Sequence, residues 1–403
     1  MQQTARSILT LGLCMGAVSV IYFLALVMQM PVWLIVVVMA IALAGIVMYA
    51  RPWNVEEAPG RSVMMRVLII AIALGWLGSN MAFVATRHGG WDAWALWNYH
   101  AQMLSDGQHW KLLFADHNGH PDYPLLLPAF NAFFIRLGGT VVTVPLFTAI
   151  LFTFCIVVLI YSQLATRNRV AAIVVLCLLA TDTSLAQFGV SEYADTTLAF
   201  FFLAAIISKE YAQADRRYLA IAAAMAAFCF WTKNEGVLLG VLFLAFNGRI
   251  FFRRHHLRYF LVGIAVPLIV WAVFKMVYAP PNDLVSRADG NTLLQARDWN
   301  RYVAIYRHFT DNLNTHFHYC KILFWLWLII MLLRRRMPSR NTIMVLVALA
   351  GYMGIYVFTH MDLEWHLITS QGRLMHQLMP AFVYVSVVDI LGDLRMVSYR
   401  FVS

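Results

Sequence analysis

Residues 218–250 read YLAIAAAMAAFCF, then Trp231-Thr232-Lys233-Asn234-Glu235-Gly236, then VLLGVLFLAFNGRI. A membrane-spanning helix needs about 20 apolar residues. This run is too long for one span and is broken where a lysine, an asparagine and a glutamate fall together. How it divides decides the fold. Basic residues crowd both flanks, at 209–217 and at 249–258. Short loops rich in Lys and Arg face the cytoplasm. One span would send these two flanks to opposite sides, whereas two spans joined at 231–236 keep them together. We therefore read a helical hairpin with its turn on the outer face.

The remainder of the chain agrees. Its 403 residues are 61% hydrophobic and 12% charged, with a mean hydropathy of +0.69. Soluble domains are about 45–50% apolar and about 25% charged, so a soluble enzyme, a disordered tail protein and a secreted disulfide scaffold are excluded. Apolar runs occur at 8–28, 32–50, 63–86, 141–163, 170–189, 196–208, 218–232, 237–250, 258–279, 319–333, 341–359 and 374–393. The second cut, between 28 and 32, falls at Gln29-Met30-Pro31. The expectation is an all-α polytopic membrane protein of about 12 spans. No small-residue cleavage site follows the first run, so we keep it as a helix. We divide the chain into two additional N-terminal helices, residues 1–62, and a transmembrane catalytic region, residues 63–403, with long outer loops at about 87–140 and 280–318.

Charge sets the orientation. Of the 30 Lys and Arg, 19 lie in or beside one set of short loops with 6 acidic residues, a net of +13. The other side holds 11 basic and 14 acidic residues, a net of −3, and eleven of the thirteen histidines. Both termini are expected in the cytoplasm, in an inner or plasma membrane. The overall +10 thus marks topology rather than a nucleic-acid partner. None of the five cysteines shows a metal-ligand or disulfide spacing. There is no Walker loop, no GxGxxG after a strand and no HExxH. A nucleotide cofactor is not expected, which argues against ATP-driven transport and against direct use of nucleotide sugars.

The acidic outer face holds the informative stretches. In His88-Gly-Gly-Trp-Asp-Ala-Trp-Ala-Leu-Trp97 the tryptophans Trp91, Trp94 and Trp97 recur every three residues. On a helix they form a slowly drifting stripe suited to the headgroup layer. Asp92 opens that helix directly after a span; a carboxylate there can accept a proton from a hydroxyl or help hold a metal. Downstream, His117, His120 and Asp122 sit among Pro121, Pro124 and Pro128, either as metal or pocket groups or as a hydrated polar turn. Glu192 and Asp195 share one helical face at a helix N-terminus, where capping and function are both open. Lys233, beside Glu235, and Arg373 are the only cations of the short outer loops. Lysine can meet a phosphate as a point charge and arginine can hold one bidentately. His366 and Glu364 are plausible partners for Arg373. Trp299, Tyr302, Tyr306 and Phe309, interleaved with Arg301 and Arg307, predict an amphipathic outer-face helix, an interfacial element or a lid.

With these motifs in order, the sequence resembles the C-type (GT-C) polytopic glycosyltransferases, in the branch of protein O-mannosyltransferases and lipid A aminoarabinose transferases. The likeness is carried by Gly-Gly-Trp91-Asp92-Ala-Trp94 with His120-Pro-Asp-Tyr-Pro124, by Glu192-Tyr-Ala-Asp195, by Trp231 to Gly236, and by Asp362-Leu-Glu-Trp-His366 with Arg373. Many of these relatives carry two adjacent acids in the first loop, whereas here Asp92 is followed by Ala93, so a second carboxylate must come from elsewhere. The resemblance implies Asp92 and Asp195 as catalytic residues. Trp94, His117, Asp122, Glu192, Lys233, Glu235, His366 and Arg373 would bind substrate. A divalent cation is the one cofactor these groups would admit, with Asp92, Asp195 and His117 as ligand candidates. The partners expected are membrane lipids, a polyprenyl-phosphate sugar donor and an outer-face glycan or lipid acceptor. The chain has no large soluble C-terminal domain, which disfavours a protein acceptor. The alternative is a lipid or sugar transporter, which would gather its polar groups near the bilayer midplane.

Overall fold

The computed structural model describes residues 2–51, 61–115, 119–281 and 295–392. It is all-helical, with no strand among the described residues. The described residues of all twelve apolar runs are mainly helical, with the run 170–189 divided into two helices at Asp182. The elements are α1 (Gln2–Val27), α2 (Val32–Ala50), α3 (Arg61–Val84), α4 (Asn98–Asp106), α5 (Leu126–Arg136), α6 (Thr143–Ala165), α7 (Arg169–Thr181) and α8 (Thr183–Gly189). They continue as α9 (Ala194–Tyr211), α10 (Arg217–Thr232), α11 (Glu235–Phe251), α12 (Leu257–Val273), α13 (Trp299–Thr315), α14 (His318–Arg334), α15 (Arg340–Phe358) and α16 (Leu363–Leu391). Among the described residues, seven helices are long and apolar enough to cross a membrane alone, or nine if two bent pairs each make one span.

The centre is built from α9 and α10, which are buried along almost their whole length. In α10, six alanines present so little side chain that α12 closes onto its backbone: a Cβ on Gly263 would stand 2.0 Å from the Ala220 carbonyl oxygen. Small residues permit this approach in lipid, where packing rather than water exclusion drives association. The α10–α11 hairpin turns at Lys233-Asn234, and Gly236 allows the two helices to start in contact, since a Cβ there would meet the Cys229 carbonyl at 1.9 Å.

Three features of the packing were not read from the sequence. First, α1 packs into the body of the bundle. Gly12 and Gly16 leave room for the rings of Phe200 and Phe228. Phe23 nests among Trp110, Trp231, Phe274 and Tyr278, and Trp231 Nε1 donates to Ser19 Oγ at 3.0 Å. Second, the first long loop contains α5, an eleven-residue helix buried from Leu126 to Phe133. It is too short to announce itself as a span. Third, α16 begins at Leu363, eleven residues before its apolar run, because the polar side chains of Gln371, His376 and Gln377 turn inward and are buried. Arg373 therefore lies within a helix wall and not in a loop. Asp182, the acid deepest in an apolar run, caps α8 by accepting from Leu185 N at 2.9 Å, at the 63° bend between α7 and α8.

Gly263→Ala is expected to destabilise the protein by about 1–3 kcal/mol, the usual cost of overpacking. Gly45→Ala, with nothing within 4 Å of its added Cβ, should leave the melting temperature in detergent unchanged. Equal melting of the two variants would refute the close α10–α12 contact.

Candidate active site

The loop after α3 is the first element of the site. Gly89 is left-handed, with φ +70°, and Gly90 donates its N–H to Ser191 O at 3.0 Å. A Cβ on Gly90 would strike the Tyr193 ring and hydroxyl, so a glycine pair is what lets the 89–92 loop lie on the 191–193 loop. The backbone then makes a π turn over Ala93–Trp97. This wider turn breaks the tryptophan stripe. Trp91 and Trp94 stay exposed and pack edge to face, while Trp97 is fully buried against Tyr123.

Asp195 sits in the first turn of α9 and is 1% exposed. Its Oδ1 accepts from Lys233 Nζ at 3.0 Å and from Gln377 Nε2. Its Oδ2 accepts from Arg373 Nε at 3.3 Å. Lys233 also meets Glu235 Oε1 at 3.2 Å, under the rings of Trp97 and Tyr123. Arg373 lies 4.5 Å over the Tyr193 ring and reaches Asp92 Oδ2 through Nη1 at 2.5 Å. Asp92, Arg373, Asp195, Lys233 and Glu235 thus form one continuous ion-pair chain, drawn from four separate stretches of sequence.

Around it lie two hydrogen-bonded flanks. Asn234 Nδ2 donates to Asp122 Oδ2 at 2.7 Å, and Lys275 Nζ donates to Asn234 Oδ1 at 2.6 Å and to the Asp122 carbonyl at 2.5 Å. On the other flank Asn98 Nδ2 donates to Glu192 Oε2 at 2.6 Å. Glu192 holds a left-handed backbone, φ +61°, uncommon for a residue with a side chain. The remaining candidates lie apart from this chain. His366 Nδ1 meets Thr359 Oγ1 at 3.0 Å, and Glu364 pairs with His308 at 2.9 Å. Trp94 is on the surface, and His117 lies outside the described residues.

Gln377, Asn98, Tyr193, Asn234 and Lys275 were not singled out from the sequence. Gln377 had a signal: it stands one helical turn after Arg373, on the same face. Lys275 had one too: a charged side chain inside the apolar run 258–279 is costly unless it meets a partner, and it lies in the π turn Phe274–Tyr278.

These groups do not suit a divalent cation as they stand. The guanidinium of Arg373 lies between the two candidate carboxylates. Among the described residues, no three His, Cys, Asp or Glu side chains lie together as an ion would require.

Residues 122–274 match the family model described as dolichyl-phosphate-mannose-protein mannosyltransferase. No curated protein and no solved structure matches the chain. The family match, on an all-helical membrane architecture, agrees with the resemblance to C-type glycosyltransferases and supports a membrane glycosyltransferase. The matched segment contains Asp122, Glu192, Asp195, Lys233 and Glu235. Asp92 and Arg373 fall outside it and are joined to it by the ion pairs.

Glu192 supplies a pH test. Burial pushes its carboxyl from 4.5 up to about 7, against the opposing hydrogen bond from Asn98. The folded protein therefore keeps this proton to higher pH than the unfolded chain. Stability from this group is full below about 4.5 and falls as pH rises towards 7. The melting temperature in detergent should decline across that window, and Glu192→Gln should flatten the decline. An unchanged slope in that variant would place the titration elsewhere.

Proposed function

We propose that the protein moves a sugar from a polyprenyl-phosphate donor to a hydroxyl of a glycan or lipid acceptor, at the outer face of the membrane and with inversion at the anomeric carbon. The observation that carries this reading is the pairing of a partly open carboxylate, Asp92, with a partly open guanidinium, Arg373, above a sealed anion. Side-chain exposure is 27% at Asp92 and 17% at Arg373, against 1% at Asp195 and 3% at Lys233. A base and a phosphate-binding cation thus stand side by side where substrate can reach them.

The roles follow from this gradient. Asp195 is covered and already receives three donors, so a substrate hydroxyl does not reach it; it fixes Arg373 and Lys233. Lys233 is equally covered and holds Asp195 as an anion, which leaves direct contact with phosphate to Arg373. In the transfer step the acceptor oxygen attacks the anomeric carbon, and its proton passes to the Asp92 carboxylate. The bond from the anomeric carbon to the phosphate oxygen breaks with its electron pair going to that oxygen. Polyprenyl phosphate leaves, and Arg373 stabilises the charge it gains. The outer-face placement is supported by the cation distribution: the site's loops are those poor in Lys and Arg.

With purified protein and radiolabelled polyprenyl-phosphate sugar, Asp92→Asn is expected to lower turnover by about 10²–10⁴-fold, the range of a general base, with unchanged melting. Arg373→Lys should also fall sharply, since an ammonium cannot reproduce the two-sided fork. Near-full transfer by a folded Asp92→Asn protein would remove Asp92 from its role. Label carried across liposomes without transfer would identify a transporter instead.

A further inference from the structure

Arg373 is paired with two of this protein's own carboxylates. Its Nη1 holds Asp92 at 2.5 Å and its Nε holds Asp195 at 3.3 Å, with the Tyr193 ring beneath it. The chain of five groups contains three carboxylates and two cations, so it already carries one negative charge in excess. A phosphodiester entering beside Arg373 adds another. In a poorly hydrated site that addition is unfavourable unless one carboxylate gives up its place.

The geometry decides which. Asp195 is buried and retained by Lys233, Gln377 and Arg373 together. Releasing it would leave an unpaired anion inside the bundle, which is costly. Asp92 is the more exposed of the two, and among the described residues Arg373 is the side chain that hydrogen-bonds its carboxylate. Its backbone is held separately, through the Tyr193 hydroxyl and the Gly90–Ser191 contact, so its side chain can rotate while the loop stays in place.

We infer that the donor's phosphate takes the Arg373 Nη1 position now held by Asp92, and that this exchange frees Asp92 to act as the base. This rests on the reading above and adds an order of events to it. Before donor binds, the guanidinium takes a lone pair of Asp92 Oδ2 and holds the carboxylate turned towards Arg373. After the exchange the carboxylate is free to turn towards the acceptor, and the second anion keeps it away from Arg373. An acceptor hydroxyl, or a water molecule, meets a working base only in the presence of the group to be transferred. The protein thereby avoids holding an active base beside an empty phosphate site.

Binding of undecaprenyl phosphate separates the possibilities. Removing the competing charge should tighten it, so Asp92→Asn is expected to bind about tenfold more strongly than the natural protein, the equivalent of about one charge-assisted contact. In the natural protein, labelling of Asp92 by a water-soluble carbodiimide with an amine should rise on adding undecaprenyl phosphate and stay unchanged with uncharged undecaprenol. Binding by the natural protein with equal or weaker binding by a folded Asp92→Asn variant would overturn the exchange alone. So would binding without any rise in Asp92 labelling. No binding by the natural protein would overturn the donor assignment as well.

Discussion

A carboxylate inside a helical bundle that sits in lipid persists as an anion only when its oxygens are filled by donors from the protein itself. Asp195 imposes that condition, and much of the structure is arranged to meet it. The Lys233 ammonium arrives because α10 stops at Thr232 and the hairpin turns tightly there. Gly236 is what lets α11 begin against the end of α10. Gln377 and Arg373 arrive because α16 turns a polar edge inward along its upper half. Gln377 is itself fixed, accepting from the Tyr352 hydroxyl at 2.6 Å, which ties α15 to the same carboxylate. Asp92 is then held by Arg373. The order of dependence runs from the buried anion outward, and each step outward is more exposed than the last.

Most of the fold was legible because, in lipid, apolar length is itself the signal. A span needs no amphipathic period, only a sufficient run of residues that cost nothing to place in hydrocarbon. The twelve runs are accordingly helical, one of them as the bent pair α7 and α8. The four motifs were legible for a related reason: polar groups at the ends of such runs are few, so any that occur invite explanation. Their convergence was not legible, since nothing in spacing says that Asp92 and Arg373, 281 residues apart, share a hydrogen bond. What the pattern hid were elements whose burial comes from neighbours rather than from lipid. α5 is one. The start of α16 is another, because its inward polar residues end the apolar run without ending the helix. The π turn at Ala93–Trp97 is a third, since residue spacing alone assumes an α-helical turn.

The departure at Ala93 also finds a physical account. The point where a Cβ of Gly89 would stand lies 2.8 Å from the Ala93 Cβ and 3.0 Å from the Glu192 Cβ. The two side-chain origins are therefore within about 6 Å of each other. An acid at 93 would therefore start close to Glu192 on the facing loop. Two unpaired carboxylates cannot share so enclosed a space in ionised form, because each raises the proton affinity of the other. Ala93 is fully buried and apolar, and Glu192, held by Asn98, supplies the one carboxyl the space accommodates. Its left-handed backbone is the cost of delivering it from a loop that must also present Tyr193 to Arg373 and Asp195 to α9 within three residues. Such strain persists where surrounding contacts over-determine a conformation, and here the Gly90–Ser191 hydrogen bond and the Tyr193–Arg373 stacking fix the segment from two sides. Beside Ala93, Asp92 is the one carboxylate of its turn, and its side chain turns away from this buried pocket to Arg373.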